Sequence, residues 1–104
     1  MTERVRVALV GAGRIGRSHA RTLAFQTPGA ELVIVADVDE SAAEASAAEC
    51  RIDRWTNDVD SAVTDPGIDA IVIASSTSTH APLIIQAAGA GKHIFTEKPI
   101  ALDL

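Results

Sequence analysis

VGAGRIGRSH, residues 10–19, sets three glycines directly behind the apolar run Val5-Arg6-Val7-Ala8-Leu9. Gly11, Gly13 and Gly16 have the G-x-G-x-x-G spacing, and each has a separate task where a strand turns into a helix over a bound dinucleotide. Gly11 permits the tight turn, Gly13 lets backbone approach a pyrophosphate, and Gly16 lets the helix pack close to the sheet. Ala12, Arg14 and Ile15 complete the loop, whose N–H groups and helix dipole would face the phosphates. The same spacing also occurs in tight turns that hold no ligand, so the surrounding chain has to decide.

Outward from the loop, short apolar runs alternate with helix-like segments. Strands are expected at residues 4–10, 31–37, 54–56, 70–75 and 92–96, the third being the shortest. Runs such as Glu31-Leu32-Val33-Ile34-Val35-Ala36 lack polar alternation, which suits strands covered on both faces by helices. Residues 14–25 carry Ile15, His19 and Leu23 on one helical face, and 40–50 is alanine-rich and can lie close to a sheet. A short helix at 58–63 ends in the Asp65-Pro66-Gly67 turn. A further helix starts near Thr79, with Pro82 in its first turn and Gly91 as its C-cap. The pattern predicts an α/β fold with a doubly wound parallel sheet of about five strands.

At 104 residues the chain has room for one domain and one modest core. Phe25, Phe95 and Trp55 are its only aromatics, so that core is aliphatic. A net charge of −5 without a Lys/Arg cluster argues against a nucleic-acid surface, which needs a basic face to displace counterions. The run Ala70-Ile71-Val72-Ile73-Ala74 is about a quarter of a membrane span, so no membrane association is expected. The single cysteine, Cys50, can form no internal disulfide and reads as a small buried apolar residue, in keeping with a cytoplasmic protein. No metal site is expected.

Asp37 supplies the context that the glycine loop needs. It ends the second predicted strand about twenty residues beyond Gly16, where a carboxylate accepts hydrogen bonds from ribose hydroxyls. It would repel a 2′-phosphate, and the next residue is Val38 rather than an arginine, which favours NAD over NADP. A plain turn or cap role for Asp37 stays open, although Asp39 is better placed to cap the helix. Arg14 could lie along the pyrophosphate or toward the nicotinamide, whereas Arg17 and Arg21 read as solvated charges and His19 as a satisfied, half-buried side chain. After the fourth strand comes Ser75-Ser76-Thr77-Ser78-Thr79-His80, a polar loop at the carboxyl edge that either caps the next helix or faces the cofactor. The fifth strand ends in Thr96-Glu97-Lys98-Pro99, whose lysine is either an ordinary exposed one or a partner for a substrate hydroxyl.

Taken together, the loop at 11–16, Asp37, the loop at 75–80 and above all Glu97-Lys98-Pro99 resemble the N-terminal Rossmann domain of the Gfo/Idh/MocA oxidoreductases. GAGRIGRSHA followed by VADVD is most similar to the inositol 2-dehydrogenase branch. The resemblance implies that Lys98 contacts the reacting hydroxyl and the nicotinamide region, often across a cis Lys-Pro peptide. It places Ser75, Ser76, Thr77, His80, Glu97 and Pro99 at the cofactor. Many members have Thr-Pro-Asn before the histidine where this chain has Ser75-Ser76-Thr77, so Thr77 stands in place of an amide.

Family members continue into a second domain that covers the nicotinamide, supplies an aspartate and a histidine, and forms a homo-oligomer interface, typically of a tetramer. The expectation is therefore that residues 1–104 are the NAD-binding part of a dehydrogenase of cyclitols or sugars, with that domain absent and little turnover alone. A stand-alone, non-catalytic NAD-binding module is the alternative, and another Rossmann user such as a methyltransferase fits Asp37 and Glu97-Lys98-Pro99 less well. The strand at 92–96 would form a bare sheet edge guarded only by Lys92 and His93, which predicts self-association there.

Overall fold

Apolar runs that lack alternation are stable only when both faces of the strand are covered, and the chain meets that demand with a sheet between helices. A computed structural model describes residues 5–26, 29–74, 85, 86 and 88–96. Its elements are β1 (Val5–Val10), α1 (Arg14–Phe25), β2 (Ala30–Ala36), α2 (Glu40–Glu49), β3 (Trp55–Thr56), α3 (Val59–Thr64), β4 (Ala70–Ile73) and β5 (His93–Thr96). The order β3-β2-β1-β4-β5 is parallel throughout, so the winding reverses between β1 and β4. Strand boundaries differ from the expected ones by a residue or two. The helical residues 85, 86, 88 and 89 end at Gly91, whose φ of 78° and N–H bond to Ala88 make it the expected C-cap. Thr79 and Pro82 lie outside the described residues.

The two faces of the sheet build separate halves of the core. Ala8, Val10, Ala36, Ile71 and Ile73 pack with Ala62 and Val63 of α3. Leu9, Leu32 and Val35 pack with Ala20 of α1 and with Ala43 and Ala47 of α2, while Cys50 is buried beside them. Burial pushes the Cys50 thiol up from its ordinary value, and neighbouring Glu49 adds to the effect, so it is a packing group rather than a nucleophile. On α1 the inward stripe runs through Gly16, Ala20, Leu23 and Ala24. Leu23 belongs to it, and His19 is half-buried, as expected.

One irregularity in β2 matters for everything above it. Val7 pairs with Leu32 but Ala8 pairs with Ile34, so Val33 is an extra residue in the strand. Leu32 and Val35 therefore share the α1/α2 face, while Val33, Ile34 and Ala36 face α3. Without the bulge the alternation would carry residue 37 to the α3 face. With it, Asp37 emerges on the side of α1, an example of a bulge re-aiming a functional side chain.

β3 is short because its task is local. α2 ends in a Schellman motif, with Ile52 N–H on Ala47 O, Arg51 N–H on Ala48 O, and Arg51 itself at φ 61°. That reversal delivers Trp55 and Thr56 alongside Val35 and Ala36, and the Thr56 carbonyl accepts the Asp37 N–H at 3.1 Å.

At the amino edge of the sheet the α3–β4 turn collects the polar ties. Asp65 accepts from Arg54 at 2.6 Å and from the Gly67 N–H at 2.7 Å, and Asp69 exchanges hydrogen bonds with the Arg6 backbone. The Lys92 ammonium donates to the carbonyls of Asp65 and Ile68. Lys92 is thus withdrawn from the guard role expected of it: it is spent on the turn, and β5 lies at one end of the described sheet with Phe95 60% exposed. No described helix is long and apolar enough to cross a membrane.

Two outcomes follow for stability. Arg51→Gly, at a left-handed position that costs an L-residue about 1–2 kcal/mol, should raise urea-measured stability by about 0.5–1 kcal/mol after the extra chain entropy of glycine. The Arg54 guanidinium, followed by the Gly67 N–H, holds the Asp65 carboxyl below its usual value. A lowered folded value means stability present at neutral pH and lost as pH falls below about 4. Asp65→Asn should therefore be less stable than the parent at pH 7, by no more than about 1 kcal/mol for so exposed a pair, and indistinguishable from it near pH 2 in unfolding scans.

Candidate dinucleotide-binding site

The parallel register brings the carboxyl ends of all the strands to one level. Thr56, Ala36, Val10, Ile73 and Thr96 pair across the sheet in a single row. The glycine loop leaves the sheet from this row after Val10 and Asp37 after Ala36; in the sequence, residues 75–80 come shortly after Ile73 and Glu97-Lys98-Pro99 after Thr96. The row includes the reversal point between β1 and β4, where open α/β sheets bind ligands.

The glycines divide their tasks as their backbones require. Gly11 turns off β1 at φ 110°, donating to Ala36 O at 2.8 Å, a conformation that side chains rarely adopt. A Cβ on Gly16 would fall 2.7 Å from the carbonyl carbon of Gly11 and closer still to its oxygen, so α1 rests directly on the end of β1. Gly13, the N-cap of α1, has φ −75°, and nothing lies within 4 Å of where its Cβ would be. The fold makes no internal demand for glycine there, whereas a ligand seated against the loop would.

Around that open position the local electrostatics suit an anion. The first turn of α1 has no acidic residue and no side-chain cap hydrogen bond, leaving its end of the dipole unopposed. Ala12 is buried, and its N–H donates to Asp37 Oδ2 at 2.7 Å. Asp37 Oδ1 accepts the Asp39 N–H at 2.8 Å, and Asp39 caps α2 through Ser41 and Ala42 as expected. Asp37 is thus both a turn residue and a half-buried carboxylate at the loop. Beside it Val38 is 83% exposed; the sequence showed this residue only as a missing arginine.

The structure thus gathers Gly11, Ala12, Gly13, Gly16 and Asp37 at one edge of the sheet. Arg14 and Ile15 open α1, but their side chains and that of Arg17 lie outside what is described, while exposed Arg21 pairs with Glu49 of α2 at 3.4 Å. Ser75, Ser76, Thr77, His80, Glu97, Lys98 and Pro99, with the expected cis Lys98-Pro99 bond, lie outside the described residues.

Known proteins share this sequence pattern and fold. Residues 5–104 match the family model of the Gfo/Idh/MocA proteins, described as an oxidoreductase family with an NAD-binding Rossmann fold. The chain is 47% identical over its whole length to a scyllo-inositol 2-dehydrogenase (NAD(+)) of Bacillus subtilis, of which it covers 30%. It is 50% identical over 95% of its length to an inositol 2-dehydrogenase of Rhizobium meliloti, covering 29% of that protein. The crystal structure of scyllo-inositol dehydrogenase from Lactobacillus casei with bound NAD(H) and scyllo-inositol superposes with a TM-score of 0.87 at 34% identity, over 97% of this chain and 30% of the other. The chain therefore spans about 30% of the length of the relatives it matches.

The division among the glycines is open to measurement. Gly16→Ala should cost about 3 kcal/mol or more, the upper end of overpacking, because backbone rather than a flexible side chain stands in the way. Gly13→Ala should change stability by no more than about 0.5 kcal/mol in the same denaturant titration.

Proposed function

The chain belongs to the Gfo/Idh/MocA oxidoreductase family, and from that premise we propose that it is the NAD-binding unit of a dehydrogenase acting on a secondary alcohol of a cyclitol or sugar. The observation that carries this is the juxtaposition of the Asp37 carboxylate with the glycine loop, 2.7 Å from the Ala12 N–H, at the level edge of the sheet. The residues fit the cofactor: Gly13 leaves a cradle open, the α1 N-terminus faces it uncapped, and Asp37 stands where ribose hydroxyls need an acceptor. Arg14 and Ile15 follow Gly13 in the loop and would contact the cofactor, and exposed Val38 would meet the adenine. To Ser75, Ser76, Thr77 and His80, with Glu97 and Pro99, this reading assigns contact with the nicotinamide end of the cofactor.

NAD, when bound, supplies the acceptor for a hydride from the alcohol carbon. Lys98 is the catalytic residue of this chain: its ammonium donates to the reacting hydroxyl and steadies the charge that builds there. A lysine in water titrates near about 10.4, so taking up a proton itself would demand a tuned environment and a further acceptor. We assign those groups, together with substrate choice and homo-oligomer contacts, to the part of such an enzyme that these residues do not span. A free, buried Cys50 and the use of NAD suit the cytoplasm.

Titration calorimetry with NAD and NADP tests the cofactor assignment. NAD should bind at least tenfold more tightly, since a 2′-phosphate would meet the Asp37 carboxylate with no arginine at position 38 to receive it. A folded sample that binds neither dinucleotide overturns the proposal. NADH formation with myo-inositol or scyllo-inositol should stay near background for these 104 residues, and ready turnover would show that the proton-handling groups lie within them.

A further inference from the structure

Asp37 makes more bonds to its own chain than a residue reserved for ribose needs. Its N–H is held by Thr56 O, its Oδ1 by the Asp39 N–H, and its Oδ2 reaches across to the Ala12 N–H in the middle of the glycine loop. Ala12 sits between Gly11, at φ 110°, and Gly13, so the peptides on both sides have little conformational preference of their own. Its N–H is buried, and an unpaired buried donor is costly. The carboxylate is thus the tie between the end of β2 and the loop that starts α1.

We propose that Asp37 is a positioning residue for the pyrophosphate loop as well as the ribose acceptor, so that the two halves of the adenosine diphosphate site are coupled through one carboxylate. The proposal rests on the NAD-binding assignment above. A carboxylate has about four lone-pair positions, and two are taken by Ala12 and Asp39, which leaves two for ribose hydroxyls without releasing the loop. Binding ribose therefore strengthens a bond network that already shapes the phosphate cradle. A ligand carrying a 2′-phosphate has the opposite effect: it can enter only if the carboxylate turns aside, and that leaves the Ala12 N–H unpaired. Replacing Asp37 with a small neutral residue to admit such a ligand would loosen the pyrophosphate site at the same time.

The sign of one measurement separates this role from simple electrostatics. Removing a negative charge near bound phosphates should tighten any ligand that makes no use of the ribose hydroxyls, whereas loss of the tie should weaken it. The full chain, Asp37→Ala and Asp37→Asn are titrated with NAD, ADP and 2′,3′-dideoxy-ADP, and amide exchange is followed by NMR in the ligand-free proteins. Asp37→Ala should bind dideoxy-ADP about fivefold more weakly than the parent and exchange the Ala12 amide about tenfold faster, while Leu9, Val35 and Ile71 keep their rates. Asp37→Asn, which keeps one acceptor without the charge, should recover part of both effects. The proposal is overturned if Asp37→Ala binds dideoxy-ADP as tightly as the parent or more so, if Asn is no better than Ala, or if the Ala12 amide is unaffected. Faster exchange spread through β1, β2 and β4 would also overturn it, since that marks general destabilisation rather than a local tie. A parent protein that binds neither NAD nor ADP would instead refute the nucleotide assignment itself.

Discussion

α1 is seated on the end of β1 by a contact that admits no side chain: Gly16 lies against the carbonyl of Gly11. The rest of the site hangs on this approach. It aims the uncapped N-terminus of α1 over the carboxyl edge of the sheet and holds Ala12 where Asp37 can reach it. It also brings Ala20 down onto Leu9 and Val35, so the contact that orients the helix begins the packing of that face. Two glycines here serve the fold, and the third, Gly13, meets no packing demand from it.

The level edge comes from register, and register from unremarkable pairings. With parallel strands the connections must cross over through helices, which leaves every carboxyl end pointing the same way. The bulge at Val33 then sets the side to which β2 delivers its last residue. A sheet of perfect alternation would present Asp37 to α3, where there is no glycine loop to hold. The extra residue costs one break in the ladder and fixes the relation between a carboxylate and a helix N-terminus.

What could be seen in the sequence follows from what is local. The G-x-G-x-x-G spacing, unbroken aliphatic runs and the Asp39 cap report short-range chemistry, and they placed every described strand and the helices at 14–25, 40–50 and 58–63 to within a residue or two. The bulge could not be read, because in Leu32-Val33-Ile34-Val35-Ala36 every residue is apolar and a slip of alternation leaves no trace. The part of the inward stripe of α1 formed by Gly16 and Ala20 could not be read for a related reason: both are too small to register as hydrophobic signals beside Ile15 and Leu23. The Lys92 ammonium, spent on two carbonyls of a turn far away in sequence, illustrates a third kind of blindness, since only the fold brings those groups together. In the site itself the residues were legible but their bonds were not. Asp37 was read as either a ribose acceptor or a turn residue, and its two oxygens leave room for both.

The two edges of the sheet divide stability from binding, and the division explains where charge is used up. At the amino edge Arg54, Asp65, Asp69 and Lys92 are paired with one another or with backbone, and these pairs fasten β1, β4 and the approaches to β3 and β5 around one turn. At the carboxyl edge the described loop holds no such pair, and Asp37 is tied to N–H groups rather than to a cation. A cation there would have quenched the carboxylate that ribose requires, and an acid in the first turn of α1 would have opposed the phosphates. Because the fastening is done elsewhere, the binding edge can leave its helix dipole uncapped and one glycine unpacked without loss of fold, and those are the features a dinucleotide needs.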